Sequence, residues 1–352
     1  MVGISLLTLV PGELGGSETY ARELLRGLGR VGEGEYDVLV PPVAPEAGEG
    51  LPTTIAVEYR RARTIPQRLF AMGAAAARPG PLRAYLRGAE VVHYPLTLRI
   101  PPVRQPTLVT LHDVQHLDLP YLFGRAERRF RAVAWHRSVR NADLVIVPSA
   151  FVKRRAVARL GLDPETIRVI HSGVDHQQFV PTDVPREDYL LYPARRWPHK
   201  NHKLLFEAFK ALRRDRPELR LVLTGGGHTH DVPPGVEVRG LVPIDELVSL
   251  YQRAAALVFP SSYEGFGQPP LEAMACGCPV ACSTAGSLPE IAGDAACMFD
   301  PHDANAIADA VRDVLEDPEA WSKRGLMQAA RFSWDETARA HDAVYRELST
   351  PA

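Results

Sequence analysis

Short apolar runs alternate with amphipathic segments along the whole chain. Residues 2–10 (VGISLLTLV) form the first run, and a glycine-containing turn leads into a segment with one apolar helical face, formed by Tyr20, Leu24, Leu25 and Leu28. This pattern predicts a strand, a loop and a helix. Further apolar runs lie at 37–40, 91–94, 107–111 and 144–148. Such alternation is typical of a parallel sheet covered by helices.

A second series of the same kind fills the rest of the chain. Strands are predicted at 189–194, 221–224, 236–239, 257–260, 279–281 and 296–299. The helices predicted between them lie at 204–212, 244–253 and 270–276. The predicted fold class is therefore α/β, with two Rossmann-like parallel-sheet domains.

The stretch 179–188 is typical of a linker, because it contains two prolines and four charged residues without an apolar period. We therefore expect an N-terminal domain over 1–180 and a C-terminal domain over 181–331. The closing segment, 332–352, is predicted to form a helix that packs back on the N-terminal domain. A length of 352 residues also favours two domains over one.

Composition narrows the class of protein. The chain is 45% hydrophobic and 24% charged, and no apolar run is long enough to span a bilayer. It begins without a basic leader, so a cytoplasmic protein is expected. The cysteines fit no zinc or redox spacing, and we expect inert, buried side chains at Cys276, Cys278, Cys282 and Cys297.

The strongest chemical signal is a glycine-rich turn flanked by two acids, between a predicted strand and a predicted helix. It comprises Glu264, Gly265, Phe266, Gly267, Gln268, Pro269, Pro270, Leu271 and Glu272. The glycines allow close approach of a ligand to the backbone, and the free N–H groups of the helix start bind anions. The two carboxylates suit vicinal hydroxyls of a sugar and a ribose. The alternative is a capped turn with two surface acids.

This motif, followed by AMACGCPV at 273–280, resembles the signature of the retaining GT-B glycosyltransferases of family 4. The run SLPEIAGDAA at 287–296 resembles the bacterial mannosyltransferase-like members. The resemblance implies two Rossmann-like domains facing each other across a cleft, with the acceptor on the N-terminal domain and the donor on the C-terminal one. It also implies that Glu264 contacts the transferred sugar, that Glu272 holds the nucleotide ribose, and that the turn between them lines the donor site.

A diphosphate leaving group needs positive charge, and Arg195 and Lys200 follow the strand predicted at 189–194. A guanidinium fork and an ammonium group both stabilise a departing phosphate. The segment 195–201 resembles the family's phosphate-binding segment, and Arg196 is a neighbouring candidate. The alternative is a solvated basic loop.

Gly15 and Gly16 precede the first predicted helix and make a second anion cradle. No third glycine follows at the spacing of a dinucleotide fingerprint. In the resembling family this loop lies over the donor diphosphate. The alternative is a tight turn in which Ser17 caps the helix.

His112 and Asp113 follow the strand predicted at 107–111, where open parallel sheets bind ligands. Similar proteins place a histidine here against the donor sugar, so His112 is the candidate beside the reacting carbon. The alternative is a structural core histidine. Asp113 is expected to brace the loop.

No metal or other cofactor is implied, because no Asp-x-Asp pair occurs and His228 and His230 lack a third ligand candidate. The donor expected is a nucleotide diphosphate sugar, first GDP-mannose and then a UDP-sugar. The resemblance implies transfer with retention, giving an α-linked product.

The sequence does not identify the acceptor, which is expected to be a glycan, a lipid-linked molecule or a small molecule. Residues 60–87 hold seven arginines and no acid, interleaved with apolar residues, which is typical of peripheral contact with the inner face of a membrane. Arginine-rich composition throughout the chain is the other explanation. Nucleic-acid binding is not indicated, because the basic stretches lack stacking aromatics. The oligomeric state is not indicated.

Two other functions remain open. A GT-B sugar-nucleotide epimerase turns over donor without acceptor, and a non-catalytic binder holds a nucleotide sugar unchanged. The set of Glu264, Glu272, Arg195, Lys200 and His112 favours an enzyme, because a binder needs no cations for a transition state.

Overall fold

A computed structural model of the chain describes residues 1–59, 65–227 and 231–350. The chain forms two compact units, Met1–Gly173 with Trp334–Ala352, and Val174–Ser333. Each unit contains a parallel β-sheet with helices in the crossovers. The predicted α/β class with two Rossmann-like domains is confirmed.

The described part of the first unit has a seven-stranded sheet in the order β3-β2-β1-β4-β5-β6-β7. Its strands are β1 Val2–Ser5, β2 Tyr36–Val40, β3 Thr53–Ile55, β4 Val91–Tyr94, β5 Thr107–Thr110, β6 Leu144–Val147 and β7 Ile167–Val169. The central strands β1, β4, β5 and β6 are buried at every position. Burial on both faces is the reason that they are continuous apolar runs in the sequence.

Helices connect these strands, with a π-helical turn at Arg131–Trp135. They are α1 Gly16–Val31, α2 Ile65–Ala77, α3 Gly80–Tyr85, α4 Gln115–Asp118, α5 Arg125–Phe130, α6 His136–Arg140 and α7 Ala150–Leu160. Of these, α1 shows the predicted apolar face, because Tyr20, Leu24, Leu25 and Leu28 are all buried.

The described part of the second unit has a six-stranded sheet in the order β10-β9-β8-β11-β12-β13. Its strands are β8 Glu187–Pro193, β9 Arg220–Thr224, β10 Val236–Gly240, β11 Ala254–Phe259, β12 Val280–Ser283 and β13 Cys297–Phe299. Its helices are α8 His202–Asp215, α9 Ile244–Arg253, α10 Gln268–Ala275, α11 Leu288–Ala292, α12 Ala304–Glu316 and α13 Pro318–Ala329.

The border between the units lies at Gly173–Val174, several residues before the position suggested by the prolines. Val174 forms an isolated parallel bridge with Ser333, and Phe179 is buried in the core of the second unit beside Tyr251. Residues 174–180 therefore pack with the second sheet, although their sequence has the composition of a linker.

The last helix, α14 Trp334–Ser349, belongs to the first unit and lies against α1. The contact is close at Gly27, where a Cβ atom would lie 2.7 Å from the carbonyl oxygen of Trp334. The Tyr36 hydroxyl also donates to Asp342 Oδ1 at 2.6 Å. This helix completes the core of the first unit, since Trp334, Val344 and Tyr345 are buried with it.

Candidate active site

Two loops of the second unit lie where its strand order changes direction. The loop after β8 carries residues 195–200, and the loop after β11 carries residues 264–267. β8 and β11 pair in parallel at the centre of the sheet, so both loops leave from the same edge. Ligands of open α/β sheets bind at such a switch point, outside the carboxyl ends of the strands.

An ion pair joins the two loops, although its residues are far apart in the sequence. Lys200 Nζ donates to Glu264 Oε1 at 2.5 Å, and their side chains are only 14% and 13% exposed. Lys200 Nζ also lies 5.2 Å from the centroid of the Phe259 ring. The sequence suggested separate roles for the two residues, whereas the structure makes them direct partners.

The loop after β8 is fixed by its backbone and by Asn201. Asn201 has a φ of 59°, a conformation that asparagine tolerates better than most residues. Its Nδ2 donates to the carbonyls of Pro260 at 3.2 Å and Pro301 at 2.6 Å, and the Tyr192 hydroxyl donates to the carbonyl of Lys200. These bonds hold Lys200 at the strand ends. Sequence reasoning gave Asn201 no role.

Burial and the neighbouring Lys200 ammonium lower the pKa of His199 to about 4. The neutral imidazole stands directly beside a positive charge.

Arg195 and Arg196 differ in their surroundings. The Arg195 guanidinium lies 5.7 Å from the ring centroid of Trp197, while Arg196 is exposed and its N–H donates to the carbonyl of Gly226 at 3.1 Å. A Cβ atom at Gly225 would lie 2.8 Å from the carbonyl of Ala194. The glycine-rich loop after β9 is therefore packed against the phosphate-site candidates.

The turn from Glu264 to α10 depends on glycine at two places. Gly267, with a φ of 106°, stands at the cap of α10, where a Cβ atom would lie 2.7 Å from Leu288 Cδ2. At Gly286 a Cβ atom would lie 2.5 Å from the carbonyl oxygen of Glu264. Ser287 Oγ donates to the carbonyl of Phe266 at 2.7 Å. The residues at the start of α11 thus pack against the turn and hold it in place.

Glu272 lies in α10 and is partly buried. Its Oε2 accepts a hydrogen bond from the Tyr251 hydroxyl at 3.0 Å. Burial raises the pKa of its carboxyl to about 7, against the effect of hydrogen bonds from Tyr251 and Gln268. A carboxylate with so few protein partners retains capacity for hydroxyl ligands.

In the first unit, Gly15 occupies the cap position of α1 with a φ of 56°, and Gly16 begins the helix. Capping by Ser17 is not found, because the helix has already started before that residue and no side chain caps it. The loop is held instead by Glu18, whose Oε2 accepts from the N–H of Gly12 at 2.8 Å. The loop follows β1, next to β4 at the switch point of this sheet.

His112 follows β5 and is partly buried. Its Nε2 lies 2.8 Å from the carbonyl of Pro95, and burial lowers the pKa of the imidazole. A carbonyl only accepts, so Nε2 carries the proton and Nδ1 of the neutral ring is an acceptor. Asp113 Oδ1 accepts from the N–H of Gln115 at 2.9 Å, which braces the loop.

The structure also shows the state of the four cysteines. Cys276, Cys278 and Cys282 are buried free thiols, whereas Cys297 is partly exposed. Burial raises the pKa of Cys278 to about 12, which disfavours the reactive thiolate.

Within the described ranges no three His, Cys, Asp or Glu side chains converge as metal ligands would, and His228 and His230 lie outside those ranges. None of the helices in the described part of the chain has the length and apolarity of a membrane span.

The arginine-rich stretch is described only from residue 65 onward. There α2 exposes Leu69 and Phe70, at 45% and 60%, while Ala71 and Ala75 are buried.

Comparisons with known proteins identify the family. Residues 175–330 match the family described as "Glycosyl transferases group 1", and residues 14–178 match "Glycosyltransferase Family 4". O-antigen chain mannosyltransferase B of Escherichia coli is 30% identical over 287 residues, with 74% of this chain and 75% of that protein covered. The chain belongs to the group 1, family 4 glycosyltransferases, and it is an enzyme of that class.

Further similarities agree with this assignment. O-antigen chain mannosyltransferase RfbU of Salmonella typhimurium is 30% identical, with 67% of this chain and 68% of that protein covered. Among solved structures, sucrose-phosphate synthase from Thermosynechococcus elongatus aligns with a TM-score of 0.77 at 23% identity, covering 99% of this chain and 98% of that one. Anabaena Alr3699/HepE, solved with UDP and glucose, aligns with a TM-score of 0.73 at 16% identity over 98% and 99%. The fold is GT-B.

Proposed function

We propose that this glycosyltransferase moves a hexose, with mannose as the first candidate, from a nucleotide diphosphate sugar to a glycan, lipid-linked or small-molecule acceptor. The observation that carries the proposal is the Lys200–Glu264 ion pair at the switch point of the second sheet. Mannose is favoured because two relatives at 30% identity are named mannosyltransferases. GDP-mannose is therefore the first donor to test, and UDP-sugars are the second.

The diphosphate of the donor is assigned to Arg195, Arg196, Lys200 and the N-terminus of α10. Lys200 donates one hydrogen to Glu264, and its ammonium has two more for phosphate oxygens. Pro269 and Pro270 have no N–H, so the backbone donors at the start of α10 are those of Gly267 and Gln268, at the positive end of the helix dipole. These groups offset the diphosphate charge without a metal ion.

The hydroxyl groups of the donor are assigned to the carboxylates and to His112. Glu264, which Lys200 holds in place, binds the hexose, and Glu272 binds the ribose. His112 accepts a hydrogen bond from the hexose through Nδ1, because its Nε2 is bound to Pro95. The turn Gly265, Phe266, Gly267 and Gln268 is also assigned to the donor, and so are Gly15 and Gly16.

Transfer proceeds with retention through attack on the same face from which the nucleotide leaves. The bond from the anomeric carbon to the phosphate oxygen breaks as the acceptor oxygen bonds to that carbon. The departing phosphate oxygen takes the acceptor proton, and Arg195 and Lys200 stabilise its negative charge. Electrostatic stabilisation of the leaving group supplies most of the rate enhancement.

The test is a transfer assay with GDP-mannose, UDP-glucose and a panel of glycan and lipid-linked acceptors, in EDTA and in Mg²⁺. The anomeric proton of the product is followed by NMR. An α-linked product formed equally well in EDTA is the expected result. A β-linked product overturns retention, and a requirement for Mg²⁺ overturns metal independence. Turnover of the donor sugar into its epimer without acceptor establishes the epimerase instead.

Contact of residues 60–87 with an anionic membrane is proposed as the route to a lipid-linked acceptor. The exposed Leu69 and Phe70 of α2, next to the arginines of the stretch, support it. Co-sedimentation with liposomes containing anionic lipid at low salt is expected, and its absence ends the proposal.

A further inference from the structure

A buried hydrogen-bond network connects helix α14 with strands β4 and β5, next to His112. Tyr345 Oη lies 2.8 Å from His93 Nδ1, and His93 Nε2 lies 2.9 Å from Thr110 Oγ1. Thr110 Oγ1 lies 3.2 Å from Tyr20 Oη, which lies 2.7 Å from His341 Nε2. His341 Nδ1 lies 2.7 Å from the carbonyl of Thr337. All five side chains are at most 3% exposed.

One assignment of donors and acceptors satisfies every contact in this hydrogen-bond network. The Thr337 carbonyl only accepts, so His341 Nδ1 donates to it and Nε2 of the neutral ring accepts from the Tyr20 hydroxyl. Tyr20 Oη then accepts from Thr110, and Thr110 accepts from His93 Nε2. The Tyr345 hydroxyl donates to His93 Nδ1. The other tautomer of His93 leaves the contact between Thr110 and Tyr20 without a hydrogen.

Burial keeps both imidazoles neutral, as this order requires. It lowers the pKa of His341 to about 4 and that of His93 well below its usual range. Fully satisfied buried networks of this kind hold their members in one arrangement.

The network reaches the candidate site through the ring of Tyr20. The Tyr20 and His112 rings meet edge to face, with centroids 4.9 Å apart and planes at 83°. A hydrogen bond from His112 Nε2 to the carbonyl of Pro95, at 2.8 Å, also holds the imidazole. This hydrogen bond restrains the imidazole at Nε2, and the packed Tyr20 ring restrains the tilt of the imidazole plane.

We propose that Tyr20 is a positioning residue for His112, and that His341 of α14 holds Tyr20 in place. This inference rests on the proposed function, in which His112 Nδ1 accepts a hydrogen bond from the donor hexose. A rotation of the imidazole moves that acceptor away from the sugar hydroxyl. The last helix of the chain therefore acts on the site through two residues and touches no substrate.

The test is Tyr20→Phe, which keeps the ring but removes the hydroxyl through which His341 holds that ring against His112. The loss of one oriented hydrogen-bond acceptor in the transition state is expected to lower kcat roughly tenfold, with the donor KM changed less than twofold. The matched control is Tyr345→Phe, which removes the hydroxyl at the other end of the chain and leaves the Tyr20–His341 bond intact. It is expected to lower Tm similarly and to leave kcat within twofold of the wild type.

A double-mutant cycle with His112→Ala separates positioning from general destabilisation. If Tyr20 acts through His112, Tyr20→Phe has no further effect on kcat in the His112→Ala background. An equal fall of kcat in both backgrounds, or an unchanged kcat in Tyr20→Phe alone, overturns the proposal.

The imidazole of His112 gives a readout that does not depend on activity. In ¹⁵N-histidine NMR spectra, assigned by their loss in His112→Ala, the wild type is expected to show the Nε2–H tautomer. Tyr20→Phe is expected to give averaged nitrogen shifts for His112, and Tyr345→Phe is not. If the wild type transfers no hexose, the proposed function fails, and unchanged His112 shifts in Tyr20→Phe separately exclude the positioning role.

Discussion

The Lys200–Glu264 pair shows how two single residues depend on each other at the proposed donor site. Its charges are largely removed from water, and a buried pair loses much more when one partner is removed than an exposed pair does. Lys200 also faces the ring of Phe259, a second interaction that favours a cation at this position. The ammonium of Lys200 therefore stabilises both the folded protein and the proposed leaving group.

Lys200→Met removes that ammonium and is expected to lower kcat about 10²- to 10³-fold, the usual effect of losing one group that stabilises transition-state charge. Steady-state transfer kinetics measure this. Lys203→Met, at an exposed position of α8, is the control and is expected to stay within twofold. Equal rates for Lys200→Met and the wild type rule out a role in leaving-group stabilisation.

Glu272→Gln tests the cost of holding a carboxylate in α10. With the folded-state pKa raised to about 7, the folded protein holds a proton that the unfolded chain releases above the usual value of 4.5. Wild-type stability is therefore lost as the pH rises from about 4.5 to 7. The variant avoids this loss, so it is expected to be more stable than the wild type by about 1 to 3 kcal/mol at pH 8 and nearly equal at pH 4.5.

Urea denaturation at the two pH values measures the difference, with the exposed Glu218→Gln as control. The same variant is expected to bind nucleotide more weakly, because an amide is a poorer acceptor for two ribose hydroxyls. A stability difference that does not change with pH contradicts the raised pKa of Glu272.

At the scale of residues, the sequence indicated Glu264, Glu272, Arg195, Lys200 and His112, because each stands at a predicted strand end or in a glycine-rich turn. It did not indicate their partners. These partners make contacts that form only in the folded chain, so no local sequence pattern marks them. They are Asn201, Tyr251, Ser287 and Tyr20.

At the scale of elements, the turn before α10 packs against Gly286, where a Cβ atom would collide with the backbone of Glu264. Gly286 and Gly240 have the same φ of +67°, but only at Gly286 does a Cβ atom meet backbone, 2.5 Å from the Glu264 carbonyl oxygen. At Gly240 no atom lies within 4 Å of that position. Alanine substitutions at Gly240 and Gly286 therefore separate the cost of backbone strain from the cost of a steric clash.

Gly240→Ala is expected to cost about 1 to 2 kcal/mol, the strain of a left-handed alanine. Gly286→Ala carries that strain and about 1 to 3 kcal/mol more for overpacking, and it displaces the backbone of Glu264. Chemical denaturation compares the two, and transfer assays are expected to show a lower kcat for Gly286→Ala. Equal destabilisation by both variants contradicts the close approach of Gly286 to Glu264.

Central strands and amphipathic helices were predictable because their burial imposes a period on the sequence. The helix predicted at 244–253 coincides with α9, for example. The edge strands β3 and β7 were missed. β3 has two exposed positions in three and β7 has one buried position, so neither is an apolar run. At an edge, pairing with one neighbour forms the strand without a hydrophobic signal.

At the scale of the whole molecule, each unit has its own core. One core comes from a single stretch of the sequence, and the other combines two separate stretches. Among the described residues, the core of the second unit is built from those between Val174 and Phe332. One core cluster of the first unit combines β1 and α1 with Trp334, Ala338, Val344 and Tyr345 of α14. The first unit is thus assembled from both ends of the sequence.

Residues 174–333 alone are therefore expected to fold and to bind the nucleotide. Residues 1–173 alone are expected to aggregate, because the face of α1 that α14 covers is left open. Joining Gly173 directly to Trp334 restores that helix and is expected to restore a soluble, cooperatively unfolding unit. Circular dichroism and light scattering compare the three chains. Cooperative folding of residues 1–173 alone contradicts the place given to α14.

A thermal-shift titration shows directly whether the protein has a nucleotide-sugar site that works without a metal. GDP, UDP, ADP and dTDP are compared with their monophosphates, each with and without EDTA. One nucleoside diphosphate, with GDP the first candidate, is expected to stabilise the protein by about 2.7 kcal/mol at a hundred times its Kd. EDTA is expected to change nothing, and the monophosphate is expected to bind more weakly. Stabilisation by none of them, or only with a divalent ion present, contradicts a metal-independent nucleotide-sugar site.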